Sequence, residues 1–113
     1  MDDVMSKVFA CRKDELEPGD ARRIDFPDRK PVAVFNVDGS FYATDDTCTH
    51  GEASLSDGFV EGCVVECPFH SGTFDVCTGK ALTHPVTESL KVYPIRIEGD
   101  AVYVVIGDES GAD

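Results

Sequence analysis

Tryptophan is absent from this 113-residue chain, methionine occurs twice and histidine three times. Basic residues are scarce as well: ten lysines and arginines face 22 acidic residues, a formal charge of −12. That balance repels phosphates, so neither nucleic acid nor an anionic membrane surface is an expected partner. No apolar run approaches the roughly 20 residues of a spanning helix. The start, Met1-Asp2-Asp3-Val4-Met5, is acidic and lacks the apolar core of a signal peptide, so a cytoplasmic location is expected. There is no nucleophile–base pair, phosphate loop or nucleotide fingerprint. The chain is therefore not expected to be an enzyme with a substrate pocket of its own. Its length suits one domain, and a monomer is expected.

What is present reads as all-β. Lys7–Ala10 opens as a short strand, and Leu16–Asp20 with Pro18-Gly19 turns the chain. Ala21–Phe26 and the strongly apolar Pro31–Val37 follow. Asp38-Gly39, a dipeptide that tolerates positive φ, joins the latter to Phe41–Ala43. Phe59–Glu66 reads as two strands around Glu61-Gly62. Leu90–Glu98 alternates like a half-buried strand, with Pro94 marking an edge or bulge. Gly99-Asp100 turns into Ala101–Ile106. Only Lys13–Glu17 suggests a helical turn. The expected object is an antiparallel β-sandwich or barrel base, about 1–43 and 84–107. A ligand-bearing subdomain, about 44–83, is inserted into it, and 108–113 form a polar tail.

Two clusters of metal-ligating residues stand in that insertion. Cys48-Thr49-His50 and Cys67-Pro68-Phe69-His70 are separated by sixteen residues. Two thiolates and two imidazoles can hold one metal centre. The C-x-H pair is too tight for a zinc finger on a helix, and the flanking Gly51, Pro68 and Gly72 place both pairs on loops. A loop-stapling zinc site would account for the residue types. The tight first pair and the loop setting of both point instead to a Rieske-type [2Fe–2S] centre, which would make the chain an electron carrier. Two thiolates bring a diferric core of charge +2 to neutrality, so one-electron reduction costs less than at a four-cysteine cluster. Small residues beside the ligands let backbone N–H groups approach the cluster sulfurs.

The flanking residues favour iron. Cys48-Thr49-His50-Gly51 and Glu66-Cys67-Pro68-Phe69-His70-Ser71-Gly72-Thr73-Phe74-Asp75 resemble the Rieske-type ferredoxins of bacterial aromatic-ring dioxygenase systems, nearest to the naphthalene and biphenyl type. Leu55–Gly58, Val76–Ala81 and Tyr93–Ile97 extend the resemblance. It implies one [2Fe–2S] cluster held by Cys48, His50, Cys67 and His70. It also implies a carrier moving single electrons from a flavoprotein reductase to the Rieske centre of a terminal oxygenase. The alternative is a non-catalytic Rieske-like subunit of another reductase or oxygenase complex. A mononuclear iron site of two histidines and a carboxylate is excluded, because only His84 remains uncommitted.

Departures from the high-potential Rieske proteins of cytochrome bc complexes are informative. Their extra loop cysteines fall at Ala53 and Phe69, so their disulfide has no counterpart here. Their hydroxyl residues fall at Gly72 and Phe74. A midpoint near the bottom of the Rieske range, roughly −150 mV, is expected. Cys11, Cys63 and Cys77 are read as free thiols, with Cys63 in a turn and open to oxidation. Phe74 is read as core. His84 is read as a loop residue. Asp45, Asp46, Glu52 and Asp57 are read as a solvated acidic face or a steering surface. Asp57-Gly58 and Thr78-Gly79 are read as ordinary turns.

Overall fold

The computed structural model describes residues 6–27, 29–49, 53–68, 72–83 and 88–106. Ten strands run through them: β1 Ser6–Arg12, β2 Ala21–Ile24, β3 Val32–Val37, β4 Ser40–Asp45, β5 Phe59–Glu61, β6 Val64–Glu66, β7 Thr73–Asp75, β8 Val92–Tyr93, β9 Ile95–Glu98 and β10 Ala101–Ile106. They form three antiparallel sheets, in the orders β1-β10-β9, β2-β3-β4-β8 and β5-β6-β7. The all-β expectation holds. Two 3-10 turns interrupt the strands, at Lys13–Glu15 and Leu55–Asp57. The first falls where a helical turn was expected. The second was not foreseen, and neither was the three-residue β7, which is too short for alternation to show.

β1 runs further than expected because it carries a bulge. Phe9 pairs with Tyr103, and Cys11, not Ala10, pairs with Val102. The extra residue lets Ala10 and Cys11 both turn inward, where both are buried. β2 stops at Ile24, opposite the first residue of β3. The Asp38-Gly39 turn has φ of 53° and 94° at its two residues, the left-handed pair that a two-residue hairpin requires.

β3 is the wall on which the molecule is built. All six of its residues are buried. Val32 and Val34 face a base core with Ala10, Cys11, Leu16, Ala43, Tyr93, Val102 and Val104. Ala33, Phe35 and Val37 face a second core with Leu55, Val65, Phe74, Val76 and Leu90. A strand buried on both faces needs apolar residues at odd and even positions alike, hence the unbroken run in the sequence. Asn36 is its polar exception, and it is satisfied. Its amide donates to the Leu16 carbonyl at 2.6 Å and its side-chain oxygen accepts the Gly39 N–H at 2.8 Å.

Pro94 marks a sheet crossing. Before it, β8 pairs with β4; after it, β9 pairs with β10. Proline has no N–H to continue a ladder, but its carbonyl still accepts the Val105 N–H at 2.9 Å. Two glycines read as ordinary turns are closer-fitting than that. A Cβ on Gly58 would overlap the Glu66 carbonyl, and one on Gly79, at φ +85°, would overlap the Leu90 carbonyl. Gly79 also accepts the Leu90 N–H at 2.7 Å, pinning the returning chain against the hairpin.

Candidate metal centre

Two short loops rise from the second core, and each begins at a cysteine. Cys48 follows β4, and Cys67 follows β6. Each loop closes in the same way: the Cys48 N–H donates to the Ala53 carbonyl at 2.9 Å, and the Cys67 N–H donates to the Gly72 carbonyl at 2.8 Å. Both hydrogen bonds span five residues, so the loops are matched in length and in closure. Both cysteines are buried, at 2% and 1% exposure, and both belong to the core that β3 shares with Leu55, Val65 and Phe74. His50 and His70, with Gly51, Glu52, Phe69 and Ser71, lie outside the described residues, as does His84. Of the four expected ligands, the structure thus places the two cysteines, in one core and at equivalent points of two loops. None of the five cysteines forms a disulfide.

The first loop is latched to the base by Asp46, two residues before Cys48. Its backbone N–H donates to the Pro31 carbonyl at 3.0 Å, and its carbonyl accepts the Leu55 N–H at 2.7 Å. Its carboxylate accepts the Ser56 N–H at 2.9 Å and the Ser54 hydroxyl, with Arg23 at 4.0 Å. Asp46 is 1% exposed. This corrects its reading as part of a solvated or steering face: it is a buried, satisfied carboxylate that shapes the loop. Asp45 is also engaged, accepting the Tyr93 hydroxyl and pairing with Arg29. Burial, and then this hydrogen bond, push the Tyr93 phenol well above its ordinary range. Asp57 alone of the described acids in that group is exposed.

The second loop rests on the β5-β6-β7 sheet. Phe74 on β7 is fully buried, as expected. The returning chain is tied to the first loop and to the start of β7. Thr49 donates to the Glu88 carbonyl at 2.9 Å, the Leu82 N–H donates to the Thr73 carbonyl at 2.8 Å, and Thr73 and Thr83 share a side-chain hydrogen bond at 2.8 Å.

The residues present fit a cluster with mixed thiolate and imidazole ligation. Two buried thiols sit at the roots of two matched loops, and a histidine follows two residues after one and three after the other. The Rieske [2Fe-2S] domain family matches residues 6–94. The chain belongs to that family. A Rieske domain carries one [2Fe–2S] cluster. The chain is 56% identical over 101 residues to the biphenyl dioxygenase ferredoxin subunit of Pseudomonas sp. (strain KKS102), covering 88% of this chain and 92% of that one. It is also 56% identical over 75 residues to the ferredoxin component of the naphthalene 1,2-dioxygenase system of Pseudomonas aeruginosa, covering 66% and 72%. Among solved structures, the complex of reduced oxygenase and oxidized ferredoxin in carbazole 1,9a-dioxygenase matches with a TM-score of 0.85 and 45% identity, covering 87% of this chain and 91% of that one.

One grouping escaped the sequence reading. Cys63, in the turn before β6, and Cys77, after β7, bring their sulfurs to 2.7 Å, with Asp75 beside them. Only the hairpin register, Val64 opposite Asp75, shows that residues fourteen apart meet. The third remaining cysteine, Cys11, is fully buried in the base core, and burial raises its thiol pKa.

Proposed function

We propose that this Rieske protein is the ferredoxin component of an aromatic-ring oxygenase system. It carries one electron at a time from a flavoprotein reductase to the Rieske centre of a terminal oxygenase. Cys48, His50, Cys67 and His70 would hold the cluster, the cysteines as thiolates and the histidines as neutral imidazoles. When bound, the cluster supplies a reversible one-electron couple that the protein itself lacks. The chain's own part is to hold the thiolates in a dry core, to close each ligand loop by a backbone hydrogen bond, and to set both loops on β3 and the small sheet. Residues 44–83 act as the cluster-binding part, and 1–43 with 84–107 act as its base.

The observation that carries this reading is the likeness to the biphenyl dioxygenase ferredoxin, which spans 92% of that protein and includes both loops. The solved oxygenase–ferredoxin complex supports the terminal oxygenase as the electron acceptor. The charge of −12 suits fast, weak encounters with basic patches on partners. No helix among the described residues is long and apolar enough to cross a membrane. The cytoplasm is the compartment this proposal requires.

Stopped-flow mixing tests it. The reduced protein, mixed with an oxidised terminal aromatic-ring oxygenase, should be reoxidised rapidly, and the rate should fall as salt rises. An NADH-driven flavoprotein reductase should refill it. Stable co-purification with a catalytic chain, and no exchange of electrons between freely mixed components, would favour a fixed subunit instead.

A further inference from the structure

The Cys63–Cys77 pair lies outside the proposed ligand set and has a chemistry of its own. The Cys63 and Cys77 sulfurs lie 2.7 Å apart, well inside the contact distance of two non-bonded sulfur atoms. The Tyr42 hydroxyl hydrogen-bonds the Cys77 sulfur. Asp75 accepts the backbone N–H groups of Cys77 and Thr78 at 2.8 and 3.2 Å, which fixes the turn that carries Cys77. On the other side, the Val76 N–H donates to the Cys63 carbonyl at 2.7 Å. Both sulfurs are therefore held by backbone bonds on both arms of one hairpin. Both are half-buried rather than sealed, so a small oxidant can reach them.

The spacing distinguishes the two obvious uses of such a pair. Two thiolates on one zinc, each at about 2.3 Å, stand roughly 3.8 Å apart at the tetrahedral angle. The pair is already much closer than that. A disulfide needs the sulfurs at about 2.05 Å. The remaining movement is a fraction of an ångström in side chains whose backbones are already paired.

We propose that Cys63 and Cys77 form a peroxide-oxidisable dithiol, which closes to a reversible disulfide across the base of the second ligand loop. Cys63, in the turn before β6, attacks one oxygen of hydrogen peroxide. The O–O bond breaks, leaving a Cys63 sulfenic acid and one water. The Cys77 sulfur then attacks the Cys63 sulfur, the S–O bond breaks, and the departing hydroxide takes the Cys77 proton to leave as a second water. Two thiols lose two electrons in all, and one peroxide is reduced to two waters. Burial, and then the neighbouring Cys63 sulfur, push the Cys77 thiol up to about 11, which disfavours it as the first nucleophile. The crosslink would enclose the segment running from Cys63 to Cys77, which contains Cys67 and the whole loop it begins. Oxidation thus staples the hairpin that carries one of the two cluster-side cysteines.

The test uses the cluster-loaded protein and does not depend on electron-transfer activity. The protein is exposed to a slight excess of hydrogen peroxide, remaining thiols are capped with N-ethylmaleimide, and the chain is cut after Glu61, Glu66 and Asp75. These cuts put Cys63, Cys67 and Cys77 on three separate peptides. The expected result is loss of two hydrogens from the intact mass, a Cys63 peptide joined to the Cys77 peptide, and unchanged iron content. Dithiothreitol should reverse it. The crosslinked form should melt higher by about 5 °C or more, as for a loop of about 15 residues closed in the unfolded state. Cys63→Ser should abolish both the crosslink and the shift. Mapping of the unsubstituted protein stands even if that variant folds poorly. Full capping of both cysteines after peroxide with the iron retained would overturn the proposal. So would a crosslink to Cys67, or a dimer linked between chains. Failure of the ferredoxin reading would leave every one of these readouts intact.

Discussion

The two faces of β3 support two cores of different character. The base core lies between sheets whose strands pair over long registers, six residue pairs for β1 with β10 and six for β3 with β4. It is filled largely by branched aliphatic side chains. The opposite core is capped by three-residue strands and two loops. It mixes two phenylalanines with alanines and the buried cysteines. Backbone ladders are therefore abundant on one side and sparse on the other, where single hydrogen bonds from Asp46, Cys48, Cys67 and Gly79 do the ordering. The base can hold its shape by strand pairing and burial alone. The cluster side is well buried but has few ladders, and the proposed metal ligation would supply order there, as in small metal-bound domains.

That contrast is broken most severely by removing a proposed ligand. Cys67→Ser should abolish cluster binding, with iron falling from two per chain to near none. Amides of β3, β4 and β10 should keep their hydrogen-exchange protection while those of β5, β6 and β7 lose theirs. Uniform loss of protection would show that the two sides unfold as one. A smaller effect separates the cores directly. Phe35→Ala, on the cluster side, should cost about 3–5 kcal/mol and speed iron release to a chelator. Val34→Ala, its neighbour on the base side, should cost about 2 kcal/mol and leave that release rate little changed. Denaturant titration and chelator kinetics on the two variants check both halves. Smaller again is Asp46→Ala, which leaves the Ser56 N–H and Ser54 hydroxyl without their acceptor. It should cost about 1–3 kcal/mol, with increased exchange confined to residues 53–58.

The sequence made the base readable because its signals are local. Asp38-Gly39 announced a hairpin, Pro94 a break, and the run from Val32 to Val37 a deeply buried strand. The Cys-x-His and Cys-x-x-His pattern stood out because spacing within each loop is also local. The rest depends on contacts between distant residues. Nothing in Val-Ala-Val-Phe-Asn-Val says that its odd and even positions serve different cores. Asp46 looked like one more surface acid, because burial of a carboxylate depends on Ser54, Ser56 and Arg23 meeting it in space. Gly58 and Gly79 looked like turn residues, because the carbonyls that exclude a side chain belong to Glu66 and Leu90. Cys63 and Cys77 looked unrelated until the β6–β7 register brought them together.

The central claim is that the thiolates of Cys48 and Cys67 and the imidazoles of His50 and His70 share one [2Fe–2S] cluster. Pulsed electron paramagnetic resonance of the reduced protein, grown with nitrogen-15 histidine, tests it most directly. The account predicts two strongly coupled histidine nitrogens on the reduced iron, one lost in His50→Cys and the other in His70→Cys. A reduced cluster with no histidine nitrogen coupling, or a colourless protein holding stoichiometric zinc, would contradict it.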